Sequence, residues 1–211
     1  MNYFTDEFLA YLELKQDMLF HKIPEEDILY YIEESLKAGS ECAKKQKSTD
    51  IIGLYEEKKI QIKQETHDGV FFKVQMRAQF ETDRKGNNLV YLYEQSISQL
   101  AQVNQLGLEE MKKIILAHEY FHYLEANGEG HVHDQLMPIE SAKFLVFSQK
   151  AHVRRTSEIA ANAFTKRLLK LKHLPSFYDY HYLLTTDQLT MQDIEEDYAQ
   201  FIALKIIGNN S

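Results

Sequence analysis

One cysteine in a chain of 211 residues, Cys42, leaves no possibility of an internal disulfide and fits a reducing compartment. Basic residues are also in deficit: 24 Lys and Arg against 32 Asp and Glu give a net charge of −8, which argues against a nucleic-acid-binding surface as the main role. No apolar run is long enough to cross a membrane. Asp6 and Glu7 interrupt the N-terminus before the apolar stretch of a signal peptide could form. No internal repeat or low-complexity tract is present. These absences together lead us to expect a soluble, cytoplasmic protein that binds neither membrane nor nucleic acid directly.

The apolar share, 44%, suffices for a sizeable core. Length and pattern predict one domain over residues 1–211. It divides into a helical segment (1–48), a central core (49–172) and a C-terminal helical segment (173–211). Helical periodicity runs through Phe8, Leu9, Leu12 and, after Pro24 at a helix first turn, through Ile28, Ile32 and Leu36. Ser48-Thr49-Asp50 is a capping signal for a further helix. From about Lys59 to Glu94 the period changes to two. Ile60 and Ile62, then Val70, Phe72, Val74, Met76 and Ala78, then Leu89, Tyr91 and Tyr93 alternate with polar residues, separated by turns at His67-Asp68-Gly69 and Arg84-Lys85-Gly86-Asn87. The pattern predicts a small antiparallel three-stranded sheet packed on a helical body, an α+β fold. Further helices are expected over Ser96–Leu106, Leu108–Glu125, Ile139–Lys150, Val153–Leu171 and Thr186–Ile207.

The chemistry centres on Ile114-Ile-Leu-Ala-His-Glu-Tyr-Phe-His-Tyr-Leu-Glu125, which holds His118, Glu119 and His122 as H-E-x-x-H. Positions four apart lie one turn above each other on a helix, so both imidazoles can face one metal ion. Glu119, on the adjacent edge, can reach a water there as general base. Such a zinc site takes a third ligand from elsewhere, and the best candidate is Glu158 in Ser157-Glu-Ile-Ala-Ala-Asn-Ala-Phe164. Asn162, four residues on, shares its face and is expected to hydrogen-bond the second nitrogen of a ligating histidine. Ala160, Ala161 and Ala163 allow this helix to lie close against the first. Arg154 and Arg155, one turn before Glu158, are candidates for a substrate carboxylate or a developing oxyanion, or else belong to a solvated face. Glu125 is a second candidate carboxylate behind a ligand. His131 and His133, in a loop with Gly128 and Gly130, read as ordinary loop residues near a cleft, and His152 as a weak proton-donor candidate.

At these residues the chain resembles the gluzincin metallopeptidases, most closely the ImmA/IrrE-like group. H-E-x-x-H is followed by E-x-x-A-N-x-F at Glu158, Ala161, Asn162 and Phe164, and then by Leu168-Leu169. The resemblance spans roughly residues 50–172. Tyr120-Phe121 stands where Leu-Gly is common, and Thr165 where alanine is usual. The resemblance implies a zinc ion on His118, His122 and Glu158, catalysis by Glu119, and a sheet edge that pairs with an extended peptide. It further implies a protein substrate, such as a helix-turn-helix repressor. The rival expectation from a different class is a zinc-binding module that grips a regulatory partner without cutting it. An intact Glu119 weighs against that rival, since a purely structural site needs no base.

Overall fold

The computed structural model describes residues 3–71, 74–144 and 147–208. In chain order the elements are α1 (Asp6–Leu14), α2 (Glu25–Lys44), α3 (Ile51–Lys58), β1 (Gln61–Glu65), β2 (Val70–Phe71), β3 (Val74–Gln75), β4 (Ala78–Thr82), β5 (Asn88–Tyr93) and α4 (Glu94–Val103). Then follow α5 (Leu108–Leu124), a π-helical turn (Glu125–Glu129), α6 (Val132–Gln135), β6 (Ile139–Phe144), β7 (Phe147–Ala151), α7 (Arg155–Leu169), α8 (Ser176–Thr185) and α9 (Met191–Gly208). Helices predominate, beside a small three-stranded sheet, so the fold is mixed α+β. No helix among the described residues is long and apolar enough to cross a membrane.

Helix α7 sits at the centre, packed on α2, α5 and α1. Its small residues explain why. Ala160 and Ala161 are fully buried, and a Cβ built at Gly39 of α2 would lie 1.9 Å from the Ala160 carbonyl oxygen. The close approach that the alanines allow at Ala160 is therefore taken up by α2. Against α5, contact is made by aromatic rings, with Phe121 and Phe164 centroids 5.4 Å apart. Gly39→Ala should accordingly force α2 off α7 and cost about 1–3 kcal/mol or more, the range for overpacking. Gly53→Ala in α3 is the contrast. There the added methyl meets only the end of the Asp50 side chain, at 2.8 Å, which can rotate away, and the gain in helix propensity remains. Equal denaturant midpoints for the two variants would contradict this reading of the crossing.

The sheet order is β1-β5-β4, with β1 parallel and β4 antiparallel to β5. This corrects the expected antiparallel sheet: it is mixed. Alternation revealed where strands form, but burial decides their order. β5 carries Leu89, Val90, Leu92 and Tyr93, all buried, so both its faces need cover and it takes the middle, whereas β1 is exposed over most of its length. The long second strand is also divided. Val70–Phe71 and Val74–Gln75 pair with each other as a separate antiparallel ribbon, and only Ala78–Thr82 joins the sheet; Phe72 lies outside the described residues.

A second correction concerns residues 139–150. In place of a helix, β6 and β7 form an antiparallel hairpin with Ile139 opposite Ala151, Glu140 opposite Lys150, and a register shift between Glu140 and Ala142. Opposite charges facing across a strand pair favour this register. A short apolar run does not distinguish the two structures by period alone. The C-terminal part differs too. The chain is helical again immediately after Pro175, as α8, and the last helix begins at Met191.

Candidate metal centre

Helix α5 follows Gly107 and packs its inner face, Met111, Ile114, Ala117 and Phe121, into the core. That orientation points His118, Glu119 and His122 into a cleft of ≈ 690 Å³. Glu158 enters the same cleft from α7. The Nε2 atoms of His118 and His122 are 3.2 Å apart; His118 Nε2 lies 3.2 Å from Glu158 Oε2, and His122 Nε2 lies 3.6 Å from Glu158 Oε1. Tetrahedral bonds of 2.0–2.1 Å to one ion would separate ligand atoms by roughly 3.3 Å. These spacings are of the size a single tetrahedral site requires, and one ligand atom from each of the three side chains lies within 4.8 Å of the others, so the group could hold a metal ion.

Electrostatics point the same way. Burial alone would raise the Glu158 carboxyl, but hydrogen bonds with His118 and His122 outweigh it and hold the group well below the usual carboxylate range. Burial would lower His122, yet Glu125 and Glu158 hold its imidazolium well above the ordinary histidine value. Three atoms rich in lone pairs converge here, and a cation, whether a proton or a metal ion, relieves their repulsion. Glu119, 9% exposed, is pushed above its ordinary value by burial, while His118 and His122 pull it down, as does the Phe80 backbone N–H of β4. A carboxylate raised in this way is a better proton acceptor than one in water.

Glu125, not Asn162, stands behind His122. His122 Nδ1 is 3.0 Å from Glu125 Oε2, and the Glu125 side chain is 1% exposed. Asn162 is buried and lines the cleft one turn beyond Glu158. Glu125 keeps right-handed helical dihedrals at the end of α5, three residues after His122, so its carboxylate lies one turn along beside the imidazole.

The two arginines part company. Arg155 lines the cleft, with Nη1 2.8 Å from Glu13 Oε1, while Arg154 is exposed outside it. His131 and His133 are not among the group around Glu158. His131 Nδ1 lies 3.7 Å from Glu125 Oε2, His133 Nδ1 lies 2.9 Å from Ser157 Oγ, and His152 Nδ1 lies 2.7 Å from the His133 carbonyl oxygen.

Sequence reasoning missed the contribution of α1. Glu13 and Gln16 line the cleft, and Asp17 accepts a 2.9 Å hydrogen bond from the Arg155 backbone N–H, capping α7. Burial pushes the Glu13 carboxyl up to about 7, with Arg155 pulling the other way. A signal was available: Glu13 is a charge four residues after Leu9, on the apolar stripe of α1. Arg77 was missed as well. Its Nη1 donates at 2.8 Å to both the carbonyl and the Oγ of Ser96, its Nε donates to Asp179 Oδ1 at 3.2 Å, and its guanidinium lies 4.8 Å from the Tyr182 ring centre. It fastens the start of β4 to α4 and α8, and so sets the width of the cleft.

Strand β4 forms one wall. The Tyr93 N–H donates to the Arg77 carbonyl at 3.0 Å, so in this antiparallel register Arg77 and Gln79 face β5. By alternation the backbone groups of Ala78 and Phe80 face the open edge, on the cleft side. The chain matches no protein-family model, no curated protein and no solved structure.

Proposed function

We propose that this chain is a zinc-dependent metallopeptidase of the gluzincin type, similar to the ImmA/IrrE-like group, and that it cleaves a polypeptide. The observation that carries this reading is the placement of the H-E-x-x-H residues and Glu158 beside β4, the outer strand of the sheet among the described residues. His118, His122 and Glu158 would hold the ion. Zinc bound there would supply Lewis acidity, polarising a carbonyl and acidifying water. An extended peptide would add to β4 through the backbone groups of Ala78 and the carbonyl of Phe80, whose N–H is taken by Glu119, a mode that fixes the main chain without reading every side chain. Glu119 takes the proton from the attacking water and delivers it to the leaving nitrogen. Arg155, steadied by Glu13, is the cationic group in the cleft one turn from Glu158. It would bind a substrate carboxylate or a developing oxyanion.

The test is cleavage of a library of unstructured peptides by zinc-loaded protein, read by mass spectrometry. We expect defined cuts that a chelator abolishes and added zinc restores. A library left intact by protein shown to hold one zinc per chain would count against peptidase activity on such chains.

A further inference from the structure

The hydrogen bonds around Glu125 form a closed proton account. Oε1 receives the Val132 backbone N–H at 2.8 Å and the Ser157 hydroxyl at 2.8 Å; Oε2 faces His122 Nδ1 at 3.0 Å, with His131 Nδ1 at 3.7 Å. Two donors already occupy Oε1, one of them a backbone N–H, and an ionised carboxylate offers Oε2 to His122 Nδ1 only as an acceptor. His122 Nδ1 is then the donor, and when His122 is neutral its Nε2 presents the lone pair to the cleft. The Ser157 proton being given to Glu125, His133 Nδ1, 2.9 Å from Ser157 Oγ, must also donate.

We infer that Glu125 is a positioning residue: through this network it fixes His122 in the Nδ1–H tautomer and so presets the Nε2 lone pair for metal. Its place in the fold supports this. The Val132 N–H and the Ser157 hydroxyl hold the Glu125 carboxylate beside His122 with no ion needed. Glutamine at this position is nearly isosteric but carries an amide that can donate to Nδ1. That would favour the opposite tautomer, with the proton on Nε2 where the ion must bind. A carboxylate serving only to pin the segment before α6 would have no such consequence for His122.

The zinc arm of the test rests on the metallopeptidase reading; the tautomer arm does not. With 15N-labelled histidine, NMR of the metal-free protein at a pH where the imidazoles are neutral reports the His122 tautomer directly. We expect Nδ1–H in the wild type and a shift toward Nε2–H in Glu125→Gln. Chelator competition should show zinc bound about 10–100-fold more weakly by Glu125→Gln, the usual effect of losing such a partner. Ser157→Ala, which leaves the charge in place, should lose far less. Nε2–H in the wild type overturns the inference even if the variant fails to fold, and so does unchanged zinc affinity in a folded Glu125→Gln. If the wild type binds no zinc, the metallopeptidase reading falls and the tautomer alone decides the role of Glu125.

Discussion

Glu119→Gln should keep zinc and lose hydrolysis by a factor on the order of 10² or more, the lower end of what a general base contributes. Glutamine has almost the same shape, and the three groups that would hold the ion, His118, His122 and Glu158, are untouched. The helix should therefore stay in register and metal content should remain one ion per chain. Glutamine cannot accept the water proton at neutral pH, so only the chemical step is removed. A bound polypeptide should then persist on β4 instead of turning over, which makes this variant a trap for the substrate. The binding-module reading predicts otherwise: wild type and Glu119→Gln would hold the same partner equally well, and neither would cut it. Initial rates with a cleavable peptide, and recovery of intact partner from both proteins under zinc-replete conditions, separate the two.

Glu158→Ala should cost zinc affinity by a factor on the order of 10² or more. Apparent binding free energies of about 10–16 kcal/mol are shared among three or four ligands in such sites, so each accounts for a few. Stoichiometric zinc held by Glu158→Ala with unchanged affinity would remove Glu158 from the site. The same centre has a pH signature. In the metal-free protein His122 is held well above 6.5, chiefly by Glu125 and Glu158 against the effect of burial. Its stabilising contribution is fully present below the unfolded value and is lost as pH rises through the raised folded value. Glu158, held well below 4.5, contributes above the unfolded carboxylate value and loses that contribution as pH falls through the depressed one. Zinc must displace the His122 proton, so its affinity should fall as pH is lowered, starting well above 6.5. The gap in thermal midpoint between zinc-loaded and chelator-treated protein should widen as pH rises across that window. A gap that narrows would contradict the assignment.

Some of this was legible in the residues because helical geometry is local. The spacing of His118 and His122 brings two imidazoles to one face whatever surrounds the helix, and Glu158 lies on a helix whose alanines announce a close neighbour. Which neighbour was not written there. Ala160 meets Gly39 of α2 because the long amphipathic α2 has its own small-residue face, a match between two surfaces that neither sequence segment contains alone. Residues 139–150 were misread for a related reason, since their apolar spacing suits a helix and a hairpin equally.

The sequence by itself determined that His118, Glu119 and His122 lie close together on one helix, since that depends on five successive residues; the packing of α7 on α5 is what brings Glu158 to them. It also indicated β strands between about Lys59 and Glu94, and they run from Gln61 to Tyr93. The tertiary structure alone decided that β5 is central and that β4 offers its edge to the cleft. It also decided that Glu125 rather than Asn162 supports His122, and that Glu13 of α1 holds Arg155. Each of these depends on which surfaces need cover and on contacts between residues far apart in the chain, and no local period encodes them.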